Sequence, residues 1–122
     1  MKYLVTLAAL VLMTSISLAG TVSHTQVGVN TTSRTAYGSM VGARFSADAN
    51  QYIGCALVGN STPYAACFAR NSAGTAGMCT TTNPLHMDQV MGLNNEAYLY
   101  YQWNASGQCT YIYSQAVSYR HQ

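Results

Sequence analysis

The chain has 122 residues, of which only five are lysine or arginine and three are aspartate or glutamate, giving a formal net charge of +2. Charges this sparse provide neither a basic stripe to grip phosphates nor a Lys/Arg-rich amphipathic helix to dock on anionic membranes, and no nucleic acid partner is expected. Four cysteines, ten tyrosines and ten glycines point to a small stapled domain with a neutral surface.

Residues 1–19 read as a signal peptide. Lys2 supplies the positive start, "YLVTLAALVLMTSIS" the apolar run, and "SLA" ending at Ala19 the small-x-small cleavage form. The run is short for a spanning helix, and no stop-transfer cluster follows. No later segment is apolar enough to span, so no transmembrane segment is expected in the mature chain. Removing 19 of the 122 residues leaves 103, residues 20–122, as a single secreted β-rich domain, periplasmic or extracellular. That part has no lysine; Arg34, Arg44, Arg70 and Arg120 stand against Asp48, Asp88 and Glu96, while Ser, Thr, Asn and Gln make up 35 of its 103 residues.

From there the pattern is of strands. "TVSHTQVGV" alternates weakly, and "YGSMVGARFSA" sets Met40 and Gly42 on one face and Val41, Ala43 and Phe45 on the other. "QYIGCALVG" and "PYAACFAR" flank the turn cluster "NSTP"; "NSAGTAG" leads into "MCTTT"; "AYLYYQWN" and "QCTYIYSQAV" flank "ASG". Strand formers between recurring turn signals predict a mainly β fold: a small antiparallel sheet or sandwich of about six or seven strands. The stretches at 22–29 and after Ile112 are the expected sheet edges. One segment breaks the period. "NPLHMDQVMGLNN" has Asn83 at an N-cap and Pro84 at N1, with Met87, Val90 and Met91 on one face, which predicts one short helix over 84–92. Phe45, Ile53, Leu57, Phe68, Val90, Leu99, Tyr101, Trp103 and Ile112 are the expected core.

Setting Trp103 opposite Gln108 in the last hairpin pairs Leu99 with Ile112 and Tyr101 with Thr110. The other face then pairs Tyr98 with Tyr113 and Tyr100 with Tyr111. This tyrosine-clad surface is the candidate binding face (Tyr98, Tyr100, Tyr111, Tyr113), since tyrosine is amphipathic and enriched in recognition surfaces. The plainer reading is a sheet packed on one side and merely clad in tyrosine on the other.

In an oxidising compartment Cys55, Cys67, Cys79 and Cys109 read as two disulfides. No C-x-x-C occurs, and a reactive thiol would need an electropositive partner, for which only Arg70 is near in sequence. Cys55 and Cys67 straddle the "NSTP" turn and can oppose each other across a hairpin, which favours 55–67 with 79–109. The rival pairs 67–79 with 55–109, and sequence alone leaves all three connectivities open.

Catalytic signals are thin. His24, His86 and His121 lie far apart, and in His86-x-Asp88 two residues two apart on a helix do not share a face. A glycosidase would need two of Asp48, Asp88 and Glu96 to converge. No enzyme activity, no cofactor and no metal are expected. His86 reads as a helix-surface residue, and Arg44 as a partner for Asp48. Asn30, Asn60 and Asn104 head N-x-S/T sequons, which matter only in a host that glycosylates exports.

"YIGC", "CFARNSAGT", the lone Cys79 before a helix and "YLYYQWNASGQCTYI" resemble a group of small exported bacterial proteins. The resemblance covers most of residues 36–115 and implies a bacterial exported origin. Members of the group have no assigned activity, so it carries over no site residue.

Two function classes follow. One is a non-enzymatic extracellular binding or structural protein, whose partner is itself or a cell-surface or extracellular molecule. The other is a small secreted effector: an enzyme inhibitor presenting the "GNSTPYA" loop, a glycan-binding module or a toxin.

Overall fold

The structure, a computed structural model, describes residues 25–116; the expected signal peptide and the ends of the first and last expected strands lie outside the described residues. Seven strands form two antiparallel sheets among those residues. One has the order β1 (Gly28–Asn30), β2 (Thr35–Ser39), β6 (Tyr98–Trp103) and β7 (Cys109–Gln115); the other is β3 (Tyr52–Val58), β4 (Tyr64–Arg70) and β5 (Ala76–Thr81). β1 and β7 are edges of the larger sheet, as the sequence pattern predicts.

Two short helices complete the fold among the described residues. α2 (Pro84–Met91) begins as expected, with Asn83 Oδ1 accepting from the Leu85 N–H and Pro84 in the first turn. α1 (Met40–Arg44) was not expected, because "YGSMVGARFSA" alternates like a strand. The strand stops at Ser39, whose hydroxyl accepts from the Gly42 N–H at 3.0 Å and so caps a helical turn. That turn carries Phe45 to the surface, where it is 76% exposed rather than in the core.

The sheets meet through their inner faces. Ala36, Leu99, Tyr101 and Ile112 of one join Ile53, Ala65, Cys67, Ala69 and Cys79 of the other, with Val90 reaching in from α2. Small residues on the inner surface leave room for two large rings. Tyr101 is fully buried, and Trp103 lies so close over Gly77 that a Cβ there would stand 2.5 Å from its ring. Five of the nine expected core residues are buried and Trp103 is partly so. Phe68 is not, at 36% exposed, because Cys67 must face inward and strand neighbours point to opposite sides. Leu57 has inward parity but sits near the end of the edge strand β3, 45% exposed.

Both favoured disulfides are present. Cys55 and Cys67 are direct partners across β3 and β4 with Cα atoms 4.0 Å apart; Cys79 and Cys109 tie the two sheets together at 5.0 Å. Cys67 also stands directly opposite Cys79, so the rival pairing fits the sheet register, and only the docked second sheet decides against it.

The last hairpin is two residues out in its register, with its four tyrosines, Leu99, Tyr101 and Ile112 on their expected faces. Tyr100 pairs with Tyr113, Tyr101 with Ile112, Gln102 with Tyr111 and Tyr98 with Gln115. One residue of the shift comes from the loop: Trp103 pairs with Cys109, leaving Asn104 to Gln108 between them, with Gly107 at φ 79°. The other is a bulge, Thr110, which lets both Cys109 and Ile112 face inward although they are three apart. The even shift returns the tyrosines and Ile112 to their expected sides, but beyond the bulge the sides reverse: Cys109, expected opposite Gln102 on the tyrosine face, is buried inward, and Thr110, expected inward opposite Tyr101, is exposed.

Candidate binding surfaces

Strand parity places Tyr98, Tyr100, Tyr111 and Tyr113 on the outer face of the larger sheet, as expected, and adds Tyr37 from β2. The register runs Gly28, Tyr37, Tyr100, Tyr113 across all four strands. With neighbouring strands about 4.8 Å apart, Tyr37 and Tyr113 stand about 10 Å apart along that row. Gly28 is needed at its end, because the Tyr37 ring occupies the space a Cβ would take. Tyr100 and Tyr111 meet edge to face at 5.9 Å, and Gln102 Nε2 donates to the Tyr100 hydroxyl at 2.6 Å. The four expected tyrosines and Gln115 line a shallow depression of about 350 Å³. The remaining outward strand residues include Asn30, Thr35 and Gln102, and none is charged.

A second concavity, of about 970 Å³, opens at one end of the two sheets. Three polar segments wall it: the β3–β4 turn with Asn60, Thr62 and Tyr64; the stretch from Thr80 to Pro84 with His86 of α2; and the β6–β7 loop with Asn104, Gln108 and Thr110. The Cys79–Cys109 disulfide holds two of these walls together, and the Thr80 N–H donates to the Gly107 carbonyl at 3.0 Å. Among the described residues no Asp, Glu, Lys or Arg side chain lines it.

The asparagines of these walls have their oxygens committed to their own turns. Asn60 Oδ1 accepts from the Thr62 N–H, Asn83 Oδ1 from Leu85, and Asn104 Oδ1 from both Ser106 and Gln108. His86, expected on the helix surface, is half-buried, and its Nδ1 lies 2.9 Å from the Thr81 hydroxyl. That hydroxyl already accepts from the Asn83 N–H at 3.1 Å. The hydroxyl oxygen, with two acceptor sites and one proton, holds both the Asn83 N–H and the His86 ring, which ties α2 to the end of β5.

No family model, curated protein or solved structure matches this chain. Geometry alone therefore weighs the two surfaces. Neither holds a carboxylate: Asp48, Asp88 and Glu96 line neither the cleft nor the tyrosine depression. Among the described residues no three His, Cys, Asp or Glu side chains gather as a metal site would require, and all four cysteines are in disulfides. Arg44, expected beside Asp48, donates instead to the Asn95 carbonyl at 3.3 Å. Asp48 is taken up locally: Gln51 Nε2 donates to it at 2.7 Å and the Asn50 N–H at 2.8 Å, which holds its carboxyl below the usual carboxylate value. The cleft was not foreseen from the sequence. Its signal was there in the polar turns "NSTP", "TTTNP" and "NASGQ", but only the topology brings them to one end.

Proposed function

We propose that this chain is a non-enzymatic extracellular binding protein whose contact surface is the tyrosine face. The observation that supports this is the row of Tyr37, Tyr100 and Tyr113 across a four-stranded sheet, flanked by Tyr98 and Tyr111 and by uncharged amide and hydroxyl side chains. Rings of this kind give contact area at low entropy cost, while their hydroxyls supply hydrogen bonds. The signal-like leader and two disulfides favour export, and the resemblance to small exported bacterial proteins agrees with it. The partner is a cell-surface or extracellular molecule, or a second copy of the chain. The second copy draws support from β7, a seven-residue edge strand without charge or proline to protect it.

Cell fractionation and sedimentation test the proposal together. Retention on the envelope, or association that rises with concentration and barely responds to salt, is the expected behaviour, because few charges take part. Replacing Tyr100 and Tyr113 by serine should abolish it. A protein found only in culture fluid and monomeric at every concentration would overturn the reading in favour of a soluble effector.

A further inference from the structure

We infer that the cleft at the end of the sheets is a second binding site, independent of the tyrosine face, and that it takes a short neutral oligosaccharide. The argument begins with size. A concavity of about 970 Å³ is at the upper end of the range for small-molecule sites, which suits several linked sugar rings better than an ion or a single metabolite.

Chemistry narrows the occupant. An anionic or cationic ligand finds no carboxylate, ammonium or guanidinium to pair with there, since among the described residues no Asp, Glu, Lys or Arg lines the walls. An apolar ligand would strip water from hydroxyls and amides without replacing their hydrogen bonds. A polyhydroxylated neutral ligand replaces that water group for group. Donors are available for it. Asn60 and Asn83 have their oxygens tied to their own backbone turns, and Gln108 Oε1 accepts from Asn104 Nδ2 at 3.1 Å. Each of these three therefore keeps its NH₂ for a ligand oxygen. Thr62, Thr80 and Thr82 add hydroxyls that can donate or accept, which matches the mixed character of sugar hydroxyls.

Two rings supply the apolar part of the recognition. Tyr64 and His86 line the cleft from different elements, β4 and α2, and are the rings within reach of the C–H surfaces of a pyranose. The walls are also preorganised by the Cys79–Cys109 link and the turn hydrogen bonds, so little ordering is left for the ligand to impose.

The test is a nuclear magnetic resonance titration of the oxidised protein, purified from expression of the full chain. The probes are maltotetraose, cellotetraose and chitotetraose, with tetragalacturonate as the acidic control. At least one neutral tetrasaccharide should shift the side-chain NH₂ signals of Asn60, Asn83 and Gln108 and saturate, while the acidic control binds more weakly. The variant carrying Asn60→Asp, Asn83→Asp and Gln108→Glu keeps the oxygens that cap the turns but loses the donors. It should melt close to the wild type and bind about tenfold or more weakly. Silence from all three neutral probes, stronger binding of tetragalacturonate, or undiminished binding by the variant would overturn the inference. Shifts confined to Tyr100, Tyr111 and Tyr113 would overturn it too, while supporting the tyrosine face.

Discussion

Removing one oxygen atom, by Tyr101→Phe, tests how the two sheets are joined. Tyr101 is fully buried, and its hydroxyl donates to the Gly77 carbonyl on the opposite sheet at 2.7 Å. Losing that bond should cost about 1 kcal/mol, rising to about 3 kcal/mol if the carbonyl finds no other partner. For a domain of roughly 100 residues, each kcal/mol lowers the melting temperature by about 4–8 °C. The pH dependence is the more specific readout. Burial, with a smaller contribution from Tyr52, holds the Tyr101 phenol well above its ordinary value of 10.0. Above pH 10 the unfolded chain therefore releases this proton and the folded one keeps it, so stability falls as pH rises, by up to about 1.4 kcal/mol per pH unit for this one group. The other tyrosines are common to both proteins and cancel in the comparison. Denaturant unfolding at pH 7, 9, 10 and 11 should show the wild type ahead at neutral pH and the gap closing by pH 11. Curves that stay parallel up to pH 11 would refute the reasoning, because Tyr101 would then ionise equally in both states.

Non-reducing peptide mapping should recover 55–67 and 79–109 with no free thiol. Replacing Cys79 and Cys109 together by serine should cost about 3–4 kcal/mol in the chain-entropy model, measured by denaturant unfolding. Leu99→Ala, in the centre of the core, should lower stability by about 2–5 kcal/mol. Gly77→Ala should cost about 1–3 kcal/mol and alter the Trp103 fluorescence, because the added methyl enters the space of the indole. Because the folded-state value of Asp48 is depressed, its contribution is present above the ordinary 3.8 and lost as pH falls through the lower folded value. Asp48→Asn should flatten the acid limb of a stability–pH profile below about pH 4.

How far the fold could be read from the sequence follows the reach of each signal. The helix over 84–91 was legible because its cap, its N1 proline and its apolar face all lie within nine residues. The cystines were legible because a hairpin turn sits between Cys55 and Cys67. The hairpin register was only half legible: alternation fixes which face a side chain takes, but a bulge adds no residue type of its own, and Thr110 looks like any strand threonine. Phe45 misled because hydrophobicity does not say that a Ser39 cap will turn the chain first. Phe68 misled because its size suggests burial, while the inward demand of Cys67 one residue away overrules it. Tyr37 was missed at the tyrosine face since it joins through β2, distant in sequence from the last hairpin. The cleft residues are ordinary turn formers, and only the meeting of three turns gives them a common role.

The alignment of Cys55, Cys67 and Cys79 across three neighbouring strands places a kinetic fork in oxidative folding. Cys67 has a sulfur neighbour on either side, and the three-stranded sheet by itself does not choose between them. The choice belongs to Cys109, which reaches Cys79 only once the larger sheet has docked. Oxidation that outruns docking is free to form either 55–67 or 67–79, and a 67–79 isomer, with Cys55 and Cys109 unpaired, needs thiol–disulfide exchange to recover. The native pairing thus requires the two sheets to be docked when Cys79 and Cys109 join.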